Sequence, residues 1–232
     1  MALTLFVKGS NDPFKVHKEM GDCPSSQRIL MILRLKDLKF QQEYVDLNKK
    51  DPKKWEEFVR RSQGRLKIPV LCHGDFEPME DADSIASYLE DTFPEPSLHS
   101  EATDAGRDLY SKFAIFMRNS KPENDAKLRS ALSKELGRLN DFLRGRPGAY
   151  LDGNMLKLPD CNLLPKLMHV KEAGELKAFI IPEEYEAVLT YLKEAATKER
   201  AFKDTFTDAV KDDIKEGWKK KMGNSMGTNS RR

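Results

Sequence analysis

Gly21-Asp22-Cys23-Pro24-Ser25-Ser26-Gln27-Arg28 is the segment of this 232-residue chain most suited to chemistry. A strand pattern ends at Lys8, a helix pattern opens at Pro24, and Cys23 falls in front of that helix. The first N–H groups of a helix have no partner within it, and the macrodipole adds partial positive charge there, so an anion is favoured. The thiolate is the nucleophilic form of cysteine, so this position by itself makes a cysteine reactive. A Cys-x-x-Cys pair would place its second cysteine at position 26, where this chain has Ser26. The arrangement is therefore monothiol. An oxidised Cys23 needs an external thiol to resolve it, and glutathione is the obvious one in a reducing compartment. The residues alone leave a second reading open, a buried structural cysteine at a strand–helix junction.

These residues need elements to hold them. Leu3–Lys8 alternates apolar and polar side chains and predicts a strand, and Gly9–Gly21 predicts a loop. Pro24 opens a helix through about Lys36, with Pro tolerated in the first turn because its missing N–H has no partner there anyway. A strand over Phe40–Leu47, a charged helix over Lys53–Arg61, strands over Lys67–Cys72 and Asp75–Met79, and a helix over Ser84–Asp91 follow. This β-α-β-α-β-β-α order is the one expected of a thioredoxin-like domain. In such domains a cis proline before the third strand faces the active cysteine, and Ile68-Pro69 is placed for that. The cis bond would turn the backbone groups of Ile68 outward, where they can pair with an extended peptide. An edge-strand proline is the other reading. Asp81, opening the last helix, reads as an N-cap or as a receiver for the α-amino group of a glutathione γ-glutamyl end.

Phe93-Pro94-Glu95-Pro96-Ser97 breaks the periodicity and predicts a linker. Helices are expected over Asp104–Asn119, Asn124–Leu143, Asp160–Glu172 and Glu183–Ala195, with Asp160–Glu172 apolar enough to be central. A charged final stretch carries Trp218. The expected class is α+β, with a thioredoxin-like glutathione-binding domain over 1–93, an all-helical domain over 94–222 and a flexible tail over 223–232.

Composition narrows the function. Lys and Arg total 40 against 38 Asp and Glu, a net charge of +2, which argues against a nucleic-acid binder. Three cysteines, an odd and sparse count, argue against a secreted disulfide scaffold and for a reducing, cytoplasmic setting. The apolar start stops at Val7 with no basic region before it, so no signal or transit peptide is expected. Ile29–Leu33 is flanked by Arg28, Arg34, Lys36 and Asp37, and a charge at the centre of a membrane helix costs about 2.5–3.5 kcal/mol, so a core helix is expected. His17, His73, His99 and His169 show no metal-ligand spacing with the cysteines, and no metal is expected. Cys72 follows the proline strand, and Cys161 lies in an apolar helix that predicts a core position.

From Leu3 to about Gly217 the chain resembles the cysteine-containing proteins of the glutathione transferase fold close to the omega class. Two branches of that family share the resemblance. Phe6-Val7-Lys8, Gly21-Asp22-Cys23-Pro24, Lys67-Ile68-Pro69-Val70, Asp81-x-Asp83-x-Ile85, Phe93–Pro96 and Gly217-Trp218 resemble plant-type dehydroascorbate reductases. Asp160–Leu167 and Asn119-Ser120-Lys121-Pro122-Glu123 resemble chloride intracellular channel proteins. The long acidic insertion that many channel proteins carry before Leu151-Asp152-Gly153 is absent here.

The reductase resemblance implies glutathione-dependent reduction of dehydroascorbate by a monomer. Cys23 would attack the oxidised substrate and pass to a sulfenate-like or adduct species. One glutathione would then form a mixed disulfide with Cys23, and a second would release glutathione disulfide. Lys8 would hold the thiolate and substrate electrostatically, and Asp22 would position substrate hydroxyls and help move protons. Without the resemblance, Lys8 reads equally as a solvated strand end. Ile68, Pro69, Asp81 and Ala82 would bind glutathione. Ala82 stands where the family has Ser, so one hydrogen bond to the γ-glutamyl carboxylate is missing, and the backbone N–H remains as donor. Lys157 replaces the family's capping Thr or Ser, which leaves Asp160 as half a capping box. The channel-like alternative is a soluble protein that associates with membranes on oxidation.

Overall fold

A four-stranded mixed sheet organises the N-terminal part of the chain in the computed structural model, which describes residues 2–227 and their side chains as far as 223. The strands are β1 (Leu3–Lys8), β2 (Phe40–Val45), β3 (Val70–His73) and β4 (Met79–Glu80), in the order β2-β1-β3-β4. β1 is parallel to β2 and antiparallel to β3, and β3 is antiparallel to β4. Helix α1 (Pro24–Leu35) makes the crossover that a parallel pair requires. Leu5, Phe6 and Val7 are buried in succession, where alternation predicted every other residue, because β1 is central and covered on both faces. On one face Phe6, Val45 and Val70 cluster with Phe58 of α2 (Pro52–Arg61), with Trp55 and Ile68 packed against them. Ile29, Leu30, Ile32 and Leu33 of α1 and Ile85 and Leu89 of α3 (Ala82–Thr92) are also buried, and α1 packs against α3.

The remaining helices are α4 (Leu109–Arg118), α5 (Pro122–Arg144), α6 (Leu158–Gly174), α7 (Glu186–Lys198), α8 (Arg200–Lys203) and α9 (Asp208–Gly227), with one 3₁₀ turn over Glu175–Lys177. α6 is the buried one, as its apolar sequence predicted. Cys161, Leu164, Leu167, Val170 and Ala173 are fully buried. Its start is held by Asp160, which accepts from the N–H groups of Leu151 (3.0 Å) and Lys157 (2.9 Å) and from the Tyr191 hydroxyl (2.9 Å). The reciprocal half of a capping box cannot form, because a lysine ammonium has no acceptor.

The chain divides into two compact units that do not follow the linear division at residue 93. Unit 1 runs to His99 and takes in Arg200–Asp213; unit 2 comprises Ser100–Glu199 and the chain from Ile214 on. The expected linker belongs to unit 1 for a specific reason. The buried Lys36 ammonium donates to the carbonyls of Phe93 (2.7 Å) and Pro96 (3.0 Å) and pairs with Glu90 (2.9 Å), which fastens that segment to α1 and α3.

Other expectations shift at their edges. The third strand starts at Val70, directly after Pro69, which has no N–H to donate to the ladder, and the fourth shrinks to Met79–Glu80. The helix expected from Asp104 starts at Leu109, because Gly106 takes φ +66 with Leu163 packed where a side chain would be. The tail expected to be flexible from 223 is helical as far as Gly227, and 228–232 lie outside the described residues.

Candidate redox site at the head of helix α1

Cys23 is the N-cap of α1. Its backbone is extended (φ −91, ψ 107), Pro24 takes the first helical position, and the Ser26 N–H donates to its sulfur at 3.4 Å. The thiol is half-buried, so it combines contact with the helix N-terminus and access from solvent. Ser26, where a second cysteine would stand, is fully buried, and its hydroxyl accepts the N–H of Lys8 at 3.3 Å, tying the end of β1 to α1.

The loop between β1 and α1 closes on itself. The N–H of Gly21 donates to the Lys8 carbonyl (2.8 Å) and that of Ser10 to the Glu19 carbonyl (3.0 Å). Gly21 must be glycine, since a Cβ would lie 2.3 Å from the Gly9 carbonyl oxygen and 3.0 Å from a carboxylate oxygen of Asp213. The Lys8 ammonium pairs with the Asp22 carboxylate and donates to Asn11 Oδ1 at 3.0 Å. It is therefore not a solvated strand end, and its charge meets Asp22, whose side chain is 1% exposed. The Asn11 amide donates in turn to Asp22 Oδ1 (3.1 Å) and to Asp213 Oδ2 (2.8 Å). Asp213, at the start of α9 and within unit 1, also accepts from the Ser10 hydroxyl (2.8 Å), the Asn11 N–H (2.7 Å) and the Asp22 N–H (3.0 Å). Burial pushes the Asp213 carboxyl up from the ordinary range, against the donors of Ser10 and Asn11 and with the help of the neighbouring Asp22 charge. Of the residues nominated from the sequence, the structure brings Lys8 and Asp22 together beside Cys23 in the chain, and the groups that join them, Asn11 and Asp213, were not nominated. Asn11 looks like any loop residue, and Asp213 lies in a charged run far along the chain.

The sheet register places the remaining candidates. Phe6, Val70 and Glu80 form one row across β1, β3 and β4, so Pro69 and Asp81 follow in the next row, at the end where β1 hands over to the Cys23 loop. The Ile68-Pro69 bond is cis. Asp81 is the N-cap of α3 and accepts from the Ser84 N–H (3.0 Å) and hydroxyl (2.9 Å), which hold its carboxyl below the usual range. Its φ of +81 is uncommon for a residue with a side chain, the kind of backbone that a tightly determined site retains. Ala82 opens the helix, and its N–H is one of those with no intrahelical partner. Arg28 of α1 reaches α3 through Asp83 at 2.6 Å. Cys72 is half-buried with its thiol on the Arg61 carbonyl (3.7 Å), and burial pushes it up; Cys161 is core.

Comparison with known proteins fits this geometry. Residues 19–97 match the family model described as Glutathione S-transferase, N-terminal domain. Human chloride intracellular channel protein 3 is 34% identical over 225 residues, covering 88% of this chain and 90% of that protein. The chain belongs to the branch of the glutathione transferase fold family that contains dehydroascorbate reductases and chloride intracellular channel proteins. The crystal structure of Chlamydomonas reinhardtii dehydroascorbate reductase superposes with a TM-score of 0.81 at 30% identity, over 95% of this chain and 98% of that one. That of EXC-4, a chloride intracellular channel homologue from C. elegans, gives 0.79 at 21% identity over 96% and 82%, a likeness of fold. Membership makes this a glutathione-related redox protein of thioredoxin-like and helical parts. Among the described residues no group of three or more His, Cys, Asp or Glu is placed to hold a metal ion, and no helix is long and apolar enough to cross a membrane.

Proposed function

We propose that this protein is a glutathione-dependent thiol oxidoreductase that reduces dehydroascorbate through Cys23. The observation that carries the reading is the half-buried Cys23 thiol at the head of α1, with the Lys8–Asp22 pair adjoining it in the chain and a serine in place of a resolving cysteine. Cys23 thiolate adds to the oxidised substrate. One glutathione thiolate attacks the Cys23 sulfur, and the two electrons of the broken carbon–sulfur bond leave with ascorbate as the Cys23–glutathione disulfide forms. A second glutathione attacks that disulfide and departs as glutathione disulfide, returning Cys23 as thiolate. The two glutathione thiols supply the two electrons and two protons of the reduction.

The chain's own groups suit a γ-glutamyl tripeptide. The Asp81 carboxylate, held ionised, suits its ammonium, and the Ala82 N–H suits its α-carboxylate. The backbone of Ile68, ahead of the cis proline, suits an extended main chain. Lys8 and Asp22 would bind the polar substrate and exchange protons with it. This chemistry calls for a reducing, glutathione-rich compartment such as the cytoplasm, and needs only a monomer. The test is a coupled assay with dehydroascorbate and glutathione on the wild type and on Cys23→Ser. Turnover that depends on Cys23 is expected. No wild-type turnover would sink the activity, and turnover kept by the variant would sink the mechanism.

The 34% identity to chloride intracellular channel protein 3 favours a second reading, a channel-like protein that joins membranes on oxidation. Its test is chloride flux into lipid vesicles that requires both this protein and an oxidant.

A further inference from the structure

We propose that Asp213 is a positioning residue for the Cys23 site. It holds the Asn11 amide and the Asp22 backbone from the C-terminal segment, and through Asn11 it fixes where the Lys8 ammonium and the Asp22 carboxylate stand. The inference deepens the reading of Cys23 as a nucleophile and rests on it for its catalytic consequence.

Both carboxylate oxygens of Asp213 are fully used. Oδ1 takes the Ser10 hydroxyl and the Asn11 N–H, and Oδ2 takes the Asn11 side-chain amide and the Asp22 N–H. Burying a carboxylate costs several kcal/mol, so a residue that only filled this space would do better apolar. What the carboxylate contributes is four charge-assisted hydrogen bonds, all directed at the loop and at the residue before Cys23. Asn11 shows how the effect is transmitted. Its amide nitrogen donates to both Asp213 and Asp22, which leaves its oxygen facing the Lys8 ammonium. Turned over, the amide would present its nitrogen to a cation and its oxygen to two carboxylates, so the acceptor at Asp213 sets its orientation. Gly21 leaves the room that this approach requires.

The isosteric change Asp213→Asn separates positioning from packing. It fills the same volume but turns an amide nitrogen toward two donors. The experiment follows alkylation of Cys23 by iodoacetamide at pH 7, read at the Cys23 peptide by mass spectrometry, on the full-length wild type, Asp213→Asn, Asn11→Ala and the double variant. Steady-state rates with dehydroascorbate and glutathione are measured alongside. Each single change is expected to slow alkylation about tenfold, with the double no slower than the slower single, because the two residues act as one unit. Among the steady-state constants kcat is expected to fall about tenfold while the KM for glutathione stays within about twofold, a split that loosened packing would not produce. Asn11→Ala removes no buried charge and carries the test alone if Asp213→Asn does not fold. Wild-type alkylation by Asp213→Asn, or costs that add in the double, would overturn the proposal. A wild type that alkylates as expected but does not turn over dehydroascorbate would sink the proposed activity and leave this inference decided by the alkylation rates.

Discussion

Asp213 in unit 1 and Asp160 in unit 2 are both buried carboxylates held by uncharged donors, and both are pushed up by burial against those donors. Their donors differ in kind. Asp160 binds the N–H of Lys157 at the cap of its own helix, the N–H of Leu151 in the segment ahead of it and the hydroxyl of Tyr191, all of them parts of the framework. Asp213 binds a loop and the residue next to a thiol, and one of its donors, Asn11, in turn contacts Lys8 and Asp22. The difference teaches that a buried carboxylate is informative through what its donors do next. A framework carboxylate ends its network on backbone and core, and a site carboxylate passes its network on to groups that can react.

The contrast can be sharpened at its two ends. Cys23→Ser is expected to lower turnover by at least about 1000-fold with little change in thermal midpoint, since the hydroxyl keeps the N-cap, and coupled assay and calorimetry check it together. Asp160→Ala should do the reverse. It removes the acceptor of two buried donors and one half-buried donor and is expected to cost about 3 kcal/mol or more in urea unfolding, with the Cys23 alkylation rate of the folded protein unchanged. A Cys23 that alkylates differently in Asp160→Ala would break the division between the two regions.

Asp22→Ala comes next, with an expected loss of about 100-fold in kcat and a smaller effect on stability, because Lys8 keeps its bond to Asn11. A variant that loses its fold before its rate would move Asp22 to the framework side.

Glu90 is the smallest test, and it adds a carboxylate that does have a cation. Burial would raise it, but the Lys36 hydrogen bond, the Leu98 N–H and the Lys36 charge outweigh burial and hold it below the ordinary range. A depressed carboxyl contributes stability that is full above its unfolded value and is lost as pH falls through the folded one. The thermal midpoint of Glu90→Gln should therefore lie below wild type at pH 7, and the gap should close below about pH 4.5. A gap that widens on acidification would contradict the pairing.

Legibility in the sequence followed distance along the chain. Cys23 could be found because its helix, its proline and its missing partner at Ser26 lie within a few residues. The helices of unit 2 could be found from their period, except where Gly106 turns the backbone left-handed and delays α4 to Leu109. The Lys8–Asp22 pair was nominated by family likeness, and its contact became visible only once the loop closed. Asp213 and Asn11 could not be found, since nothing in Lys211-Asp212-Asp213 says which carboxylate turns inward or that its donors lie some two hundred positions earlier. What holds Phe93–Ser97 in place was hidden for a similar reason. Phe93–Ser97 has the composition of a linker, and the lysine that pins it is Lys36.

The hydroxyl of Ser26 has a further consequence under the proposed function. The place from which a second thiol would reset Cys23 is taken by a group that braces Lys8, and the Cys72 thiol is directed at the Arg61 carbonyl. Each turnover then waits on reductant arriving from solution. The protein stores no electrons of its own, so its speed would rise and fall with the surrounding pool of small thiols, much as a meter follows its supply.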